Sequence, residues 1–248
     1  MKKIINSTEK FSKIVKIRKI HSKQFVNNFY LRFYAKNSEK LEPETLDWID
    51  SFKKNSIFYD IGASIGIFSI YAALKQNCNV CAFEPEIQNF SVLGKNHFLN
   101  RKNIQNQFMT FNIALGNKKK ISELYISRYE SGAAMKILSK PMKRLEKTPF
   151  RPTFIQNIMQ ERLDDFVEEY KIPYPNHIKI DVDGSEHQVI KGAEKILSKS
   201  TLKSILIEIE ETGKYQKTIQ DIENKGFSIK DKFQVEEYKG LFNYIFVR

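Results

Sequence analysis

The stretch Asp60-Ile61-Gly62-Ala63-Ser64-Ile65-Gly66 decides the fold, because it joins a short apolar run to a helical stretch. Residues 57–59 predict a buried strand, and residues 65–74 predict a helix. Glycines at such a junction let the backbone turn tightly and approach a ligand at the helix N-terminus. Their Gly-x-x-x-Gly spacing is not the dinucleotide fingerprint, and the acidic Asp60 would repel a diphosphate. The turn therefore favours a cationic or amine-bearing ligand.

Short apolar runs and helical stretches alternate outward from this turn. Strands are predicted at residues 79–83, 108–114, 121–126, 177–182, 204–209, 226–229 and 242–247. Helices are predicted at residues 87–99, 163–170, 187–197 and 215–224. This alternation predicts an α/β fold with a doubly wound, mostly parallel sheet. In such sheets the ligand site lies at the carboxyl ends of the strands, where the strand order reverses.

The positive charge of the chain is concentrated in two segments. The 248 residues contain 41 Lys and Arg against 29 Asp and Glu, which gives a formal charge of +12. Residues 1–36 hold ten basic residues and one acidic, and residues 101–162 hold thirteen and four, so each segment carries +9. Residues 37–100 and 163–248 each carry −3. Such blocks of like charge mark solvated faces or interaction surfaces.

These segments suggest how the chain is organised. We predict a basic, helical N-terminal extension over residues 1–54, in which Phe25, Phe29 and Phe33 share one face. We expect residues 55–248 to form the α/β domain, with an irregular basic insertion at about 127–160.

Composition narrows the class of protein and its compartment. The chain has two cysteines and no apolar run of the roughly 20 residues that a bilayer span needs. After Lys2 and Lys3 only Ile4 and Ile5 are apolar, and residues 6–10 are polar, where a signal peptide would have a longer apolar segment. We therefore expect a cytoplasmic protein, with contact between the basic N-terminal block and an anionic membrane as a hypothesis.

Carboxylates follow two further strands. Glu84, before Pro85, lies 24 residues beyond Asp60, close to the separation of about 20 at which such folds place a carboxylate on a ribose diol. A second acidic group follows the strand at residues 177–182, and a helix cap explains part of it. Its members are Asp181, Asp183, Glu186 and His187.

The motifs DIGASIG at 60–66, FEP at 83–85 and IKIDVDGSEHQVIKGA at 178–193 together resemble the FkbM family of S-adenosylmethionine-dependent methyltransferases. The resemblance covers about residues 59–209. It implies a class I methyltransferase fold, which is Rossmann-like and has seven strands ending in an antiparallel hairpin. Family members usually have Asn where this chain has Ser64 and Glu where it has Asp183. The implied cofactor-binding residues are Asp60, Gly62, Ala63, Ser64, Gly66, Ser69, Glu84, Pro85, Asn112, Ile113, Ala114 and Asp181.

Methylation of a hydroxyl needs alignment of two reactants and a base that accepts the proton. Asp181, Glu186 and His187 are the candidate bases. A divalent metal held by Asp181 and Asp183, with Glu208 or Glu210, is an alternative way to activate the hydroxyl.

The resemblance implies an acceptor of carbohydrate type, since family members mostly methylate sugar hydroxyls of surface polysaccharides, glycolipids or secondary metabolites. We hypothesise that the basic insertion contacts a phosphate or acidic sugar through Ser131, Gly132, Lys143 and Arg144. Methylation of nucleic acid is a second hypothesis. The charge of +12 favours it, but the Asp/Asn-Pro-Pro-Tyr/Phe motif of base methylation is absent, so we expect no nucleic-acid partner. A non-catalytic binding or scaffold protein that keeps the cofactor fold is a third.

Overall fold

The computed structural model describes residues 7–133, 136–138, 141, 148–212, 215–235 and 238–248, which form a mixed α/β structure. Its helices are α1 Ser7–Lys10, α2 Phe29–Leu41, α3 Pro43–Asp50, α4 Ile67–Gln76, α5 Ile87–Asn100, α6 Leu163–Glu169, α7 Glu186–Lys191, α8 Glu194–Leu197 and α9 Tyr215–Glu223. Its strands are β1 Ser12–Ile17, β2 Ile20–Phe25, β3 Ile57–Ile61, β4 Asn79–Phe83, β5 Phe108–Phe111, β6 Ala114–Leu115, β7 Lys120–Ile126, β8 Lys136–Leu138, β9 Phe154–Glu161, β10 His177–Ile180, β11 Ser204–Glu210, β12 Ser228–Gln234 and β13 Leu241–Val247. Among the described helices, none is long and apolar enough to cross a membrane.

The main sheet confirms the predicted doubly wound fold. Its seven strands lie in the order β12-β13-β11-β10-β3-β4-β5. Strands β11, β10, β3, β4 and β5 are parallel, and β13 runs antiparallel to both β11 and β12. The chain moves outward from β3 to β5 and then returns to β10 on the other side of β3. The strand order therefore reverses between β3 and β10, which places the expected ligand site at their carboxyl ends.

Hydrophobic clusters cover both faces of this sheet. On one face, Tyr59 and Ile178 share a cluster with Val189 of α7. On the other face, Phe58 of β3 clusters with Trp48 of α3. The second cluster includes residues from β1, α2 and α3, so the N-terminal part of the chain packs into the same core as the sheet.

The helical prediction is wrong for the first part of the N-terminal extension. Strands β1 and β2 form an antiparallel hairpin that turns at Arg18 and Lys19, and α2 starts only at Phe29. Val15 and Ile17 are buried while Lys16 between them is exposed, which is the two-residue period of a strand. The Phe25, Phe29 and Phe33 spacing was misleading, because Phe25 lies in β2 and the other two rings are exposed.

The irregular prediction for residues 127–160 is also wrong in part. Strands β6, β7, β8 and β9 form a second sheet, in which β7 is antiparallel to both β8 and β9. The predicted strand at 121–126 is confirmed as β7. Leu124 and Ile126 of β7 pack with Ile158 of β9 over a small core. The prolines at 149 and 152 hid β9 from sequence reasoning, because they lie just before it.

Candidate active site

The glycine turn after β3 presses against the end of β10. Gly62 and Gly66 have φ of +83° and +81°, a region that glycine adopts without strain. The Gly62 and Ala63 N–H groups donate to the carbonyl of Phe83, at 2.9 and 3.0 Å. A Cβ at Gly62 would lie 1.7 Å from the carbonyl oxygen of Asp181. The turn therefore joins the carboxyl ends of β3, β4 and β10 at the reversal point.

Glu84 lies buried beside this turn. One carboxylate oxygen accepts the Ser64 N–H at 2.8 Å, and the other accepts the Glu86 N–H at 2.9 Å. Burial raises the pKa of Glu84 to about 7, although the nearby ammonium of Lys136 opposes that rise. Each oxygen keeps a lone pair beyond these bonds, so Glu84 can still accept the two hydroxyls of a ribose.

Lys136 of β8 is a site residue that sequence reasoning missed. Its buried ammonium pairs with the buried carboxylate of Glu86 at 2.9 Å, and its N–H donates to Asp183 at 3.2 Å. Glu86 also accepts the N–H groups of Gln88 and Asn89, which begin α5. Strand β8 thus ties the loop after β4 to the loop after β10. No local motif marks Lys136, since its partners are about 50 residues away in sequence.

Lys179 is the second missed residue, and it lies inside a group of carboxylates. Its ammonium is 2.8 Å from the Asp181 carboxylate and 3.8 Å from that of Glu42. Asp60 is the third carboxylate, and Ser69 donates to it at 2.6 Å. Burial disfavours the ammonium, but the three carboxylates outweigh that effect and raise the pKa of Lys179. A lysine within the apolar strand Ile-Lys-Ile was the available signal.

The N-terminal part of the chain brings two residues to the group of carboxylates around Lys179. Glu42 caps the junction of α2 and α3, and it accepts the Thr45 hydroxyl at 2.7 Å. Burial raises the pKa of Glu42, with Lys179 opposing and Asp181 adding to the rise. Burial and the charges of Asp181 and Asp183 raise the pKa of Tyr34, in α2, to about 12. The C-terminal end of α2 therefore lies near β10, since Glu42 directly follows α2 and is 3.8 Å from Lys179.

The predicted bases differ in their surroundings. Asp181 is held by Lys179 at the sheet edge. The Glu186 carboxylate accepts the N–H groups of Val182 and Gly184, at 3.3 and 3.0 Å, and so shapes its own loop. His187 lies on the exposed side of the first turn of α7. Asp181 is thus the candidate that directly follows β10 and lies against the glycine turn.

The residues expected near the adenine lie along the neighbouring edge. The Asn112 amide donates to the carbonyls of Glu84 and Pro85, at 2.8 and 2.9 Å, and so joins the ends of β4 and β5. Ile113 packs against the main core, and Ala114 begins β6. Their contact with a cofactor stays a prediction.

The predicted acceptor residues fall into two groups. The Ser131 and Gly132 turn packs between α2 and α5, where the Gly132 N–H donates to Asn89 at 2.7 Å. Asn89 in turn donates to the Ser64 hydroxyl of the glycine turn at 3.3 Å. Lys143 and Arg144 lie outside the described residues. The acceptor role of all four residues stays a prediction.

The alternative of a bound metal is not supported. In the part of the chain that the structure describes, no group of three or more His, Cys, Asp or Glu side chains is arranged to hold a metal ion. The side chains proposed for it have other partners. Asp181 pairs with Lys179, Asp183 accepts the Lys136 N–H, and Glu210 accepts the Thr212 hydroxyl.

The arrangement fits S-adenosylmethionine. That molecule carries a sulfonium and an α-ammonium group, and its ribose is not phosphorylated. Three carboxyl groups lie around the ammonium of Lys179, and this acidic surrounding suits a cationic ligand. The residues that would hold it are Asp60, Gly62, Glu84 and Asp181, with Glu84 at the ribose.

Known proteins resemble this chain in sequence profile and in fold. The family profile described as methyltransferase FkbM domain matches residues 60–237. Among solved structures, the chain is similar to the methyltransferase FkbM from Methylobacillus flagellatus KT, with 16% identity and a TM-score of 0.55 over 88% of this chain and 52% of that chain. It is also similar to TYW2 from P. horikoshii in complex with MeSAdo, with 13% identity and a TM-score of 0.50 over 95% of this chain and 70% of that one. No curated protein matches the chain in sequence.

At these identities the solved structures establish the fold, and the chain spans about half the length of the Methylobacillus flagellatus protein. The chain therefore has the Rossmann-like fold of class I methyltransferases, which bind S-adenosylmethionine, and its site fits that class. Within that class, the chain belongs to the FkbM methyltransferase family, because the family profile covers more than half of it.

Proposed function

We propose that this protein transfers the methyl group of S-adenosylmethionine to a hydroxyl of a polar, anionic sugar acceptor. The observation that carries the proposal is the position of Asp181, which Lys179 holds at 2.8 Å beside the glycine turn. A hydroxyl is a weak nucleophile while it keeps its proton, so its methylation benefits from a fixed carboxylate.

Asp181 acts as the base in this proposal. Bound S-adenosylmethionine supplies an electrophilic methyl group and leaves as S-adenosylhomocysteine. Asp181 takes the proton that the acceptor oxygen loses as its bond to the methyl carbon forms. Lys179 fixes the orientation of Asp181, since the lysine is buried and has little freedom of its own. Glu186 and His187 stay secondary candidates, because Glu186 serves its own loop and His187 lies on the exposed side of α7.

The charge of the chain supports an anionic acceptor. Residues 101–162 carry +9, and they join the cofactor half of the sheet to β10. Arg128 is exposed next to the Ser131 and Gly132 turn, which is bonded through Asn89 to the glycine turn. A phosphate of a nucleotide-linked or lipid-linked sugar, or an acidic sugar of a surface polysaccharide, has the charge to match.

The test is a methyl-transfer assay with labelled S-adenosylmethionine on separate acceptor classes, which are nucleotide sugars, lipid-linked saccharides and total RNA. We expect label in a saccharide as a methyl ether, which resists the mild alkali that cleaves methyl esters. Label in RNA alone would overturn the acceptor class. Calorimetric binding of cofactor without transfer to any class would favour the non-catalytic alternative.

A variant series tests the base. Asp181→Asn is expected to lower kcat by about 10²- to 10⁴-fold, the usual contribution of a general base. Cofactor affinity in this variant should fall by less than kcat does. Asp231→Asn, in the edge strand β12, is the matched control and should behave as wild type. Full kcat in Asp181→Asn, together with a large loss in Glu186→Gln or His187→Ala, would move the role to that residue.

A further inference from the structure

Helix α2 exposes an aromatic and basic stripe. Phe29, Arg32, Phe33 and Lys36 follow the i, i+3, i+4, i+7 spacing of one helix face, and all four are exposed. Phe29 and Phe33 expose 72% and 41% of their surface. The opposite face of α2 is buried through Leu31, Ala35 and Ser38. The outward phenyl rings are therefore not needed for the core of this protein.

The stripe continues onto the insertion that precedes β8. The Phe29 ring packs edge-on against Tyr30 at 5.6 Å, and the Arg128 guanidinium lies 5.4 Å from the centre of the Tyr30 ring. Asn28 donates to the Ser131 carbonyl at 3.0 Å, which fixes this turn against the start of α2. Tyr129 follows Arg128 in the chain and is also exposed, and its ring packs against Phe154 of β9 at 4.8 Å. We name this surface the aromatic-basic face and define it as Phe29, Arg32, Phe33, Lys36, Arg128 and Tyr129.

The charged residues at the centre of the aromatic-basic face are all positive. Arg32, Lys36 and Arg128 are exposed cations, and Lys40 extends the stripe by one turn. Glu130 is an exposed acid at its border, and Glu39 accepts the N–H of Arg18. Phenyl rings flanked by exposed cations on one helix face are the pattern of helices that lie in the interface of an anionic bilayer. Single-stranded nucleic acid is usually bound along a basic groove in which bases stack, whereas these residues lie on one face of a single helix.

We propose that the aromatic-basic face docks this protein on the surface of an anionic lipid bilayer. Phe29 and Phe33 enter the headgroup region, and Arg32, Lys36 and Arg128 contact lipid phosphates. The docked surface adjoins the Ser131 and Gly132 turn, so the acceptor side of the site faces an acceptor anchored in that bilayer. Docking itself does not depend on the chemistry of methyl transfer.

The test is cosedimentation of the full-length protein with vesicles of phosphatidylcholine alone or mixed with phosphatidylglycerol. We expect binding to the anionic vesicles only, with loss of binding as salt is raised. The Phe29→Ser/Phe33→Ser double variant should weaken partitioning by at least about tenfold. The Arg32→Gln/Lys36→Gln double variant should weaken it by about thirtyfold.

A matched control uses a similar pair of residues at the edge of the main sheet. Ile229 in β12 is exposed to the same degree as Phe33 and precedes the exposed Lys230, so Ile229→Ser/Lys230→Gln should bind vesicles as wild type does. Calorimetry with S-adenosylmethionine checks that every variant keeps its site. Face variants that bind vesicles like wild type would overturn the proposal, as would equal binding to neutral vesicles. Loss of RNA binding in these variants, with no vesicle binding by wild type, would replace the bilayer with nucleic acid.

Discussion

At the scale of single residues, Gly62 sets the geometry of the site because it has no side chain. Its φ of +83° disfavours a side chain, and the Asp181 carbonyl oxygen excludes one, because it would lie 1.7 Å from a Cβ at this position. We expect Gly62→Ala to lower the free energy of unfolding by more than the roughly 1–3 kcal/mol of backbone strain alone. Gly94→Ala in α5 is the control, because a Cβ there meets nothing within 4 Å. That variant should gain about 0.5–1 kcal/mol in urea unfolding. Equal stability of the two variants would contradict the close approach.

Glu84 predicts a pH dependence of stability at the same scale. Burial raises its pKa from 4.5 to about 7, so the folded state holds a proton that the unfolded state has released between these values. The contribution of Glu84 to the free energy of unfolding is fully present below pH 4.5 and is lost as the pH rises to about 7. The loss amounts to about 3 kcal/mol, because each pKa unit corresponds to about 1.4 kcal/mol.

A comparison of wild type with a variant that lacks the Glu84 carboxylate separates this effect from that of the other titrating groups. Glu84→Gln cannot titrate at that position, so the difference in unfolding free energy between wild type and variant should change from pH 4.5 to 7 and stay flat above pH 7. His177 titrates with opposite sign, since burial lowers its pKa to about 4, but it is present in both proteins. A difference that does not change with pH would show that Glu84 keeps an ordinary pKa.

At the scale of elements, a buried ion pair adds to the pairing with β7 that holds β8 in place. Lys136→Met would leave the Glu86 carboxylate buried without its cation, which typically costs about 3–5 kcal/mol. Lys120→Met, at the exposed start of β7, should change stability by less than about 0.5 kcal/mol. Unfolding in urea measures both. The double variant Lys136→Met/Glu86→Gln should recover part of the stability lost in Lys136→Met. If its loss equalled the sum of the losses in the single variants Lys136→Met and Glu86→Gln, that result would argue against a direct pair.

Elements also show where sequence reasoning succeeds and where it fails. Most strands of the main sheet were predictable, because they are short apolar runs between turn signals, and their ends placed Asp60, Glu84 and Asp181 together. The edge strand β12 was predicted only at its start, because it is mostly polar and exposed. The β1 and β2 hairpin was missed, because phenylalanines spaced by four suggested a helix over residues whose burial alternates by two. Lys136 entered the site through pairing of distant segments, which a single sequence does not display.

At the scale of the whole molecule, the N-terminal segment packs into the same core as the main sheet. Trp48 of α3 lies in the cluster that covers the sheet, and its indole N–H donates to the Ser204 hydroxyl of β11 at 2.8 Å. Glu42 then reaches the Lys179 ammonium from the same segment. The chain therefore has a net charge of +12, yet it gathers carboxylates from both of its slightly acidic segments around the expected cofactor.

This distribution predicts how Glu42 affects cofactor binding. Glu42→Gln removes one of three carboxylates around Lys179, so affinity for S-adenosylmethionine should fall about five- to thirtyfold, the effect of about 1–2 kcal/mol of lost attraction. S-adenosylhomocysteine lacks the sulfonium charge, so its affinity should fall less. Calorimetry of both ligands measures the ratio. Glu39→Gln, on the exposed side of α2, is the control and should leave both affinities unchanged. If Glu42→Gln weakened the two ligands equally, the carboxylate would act on the shared α-ammonium or on folding of the site, and the sulfonium would owe its binding to Asp60 and Asp181.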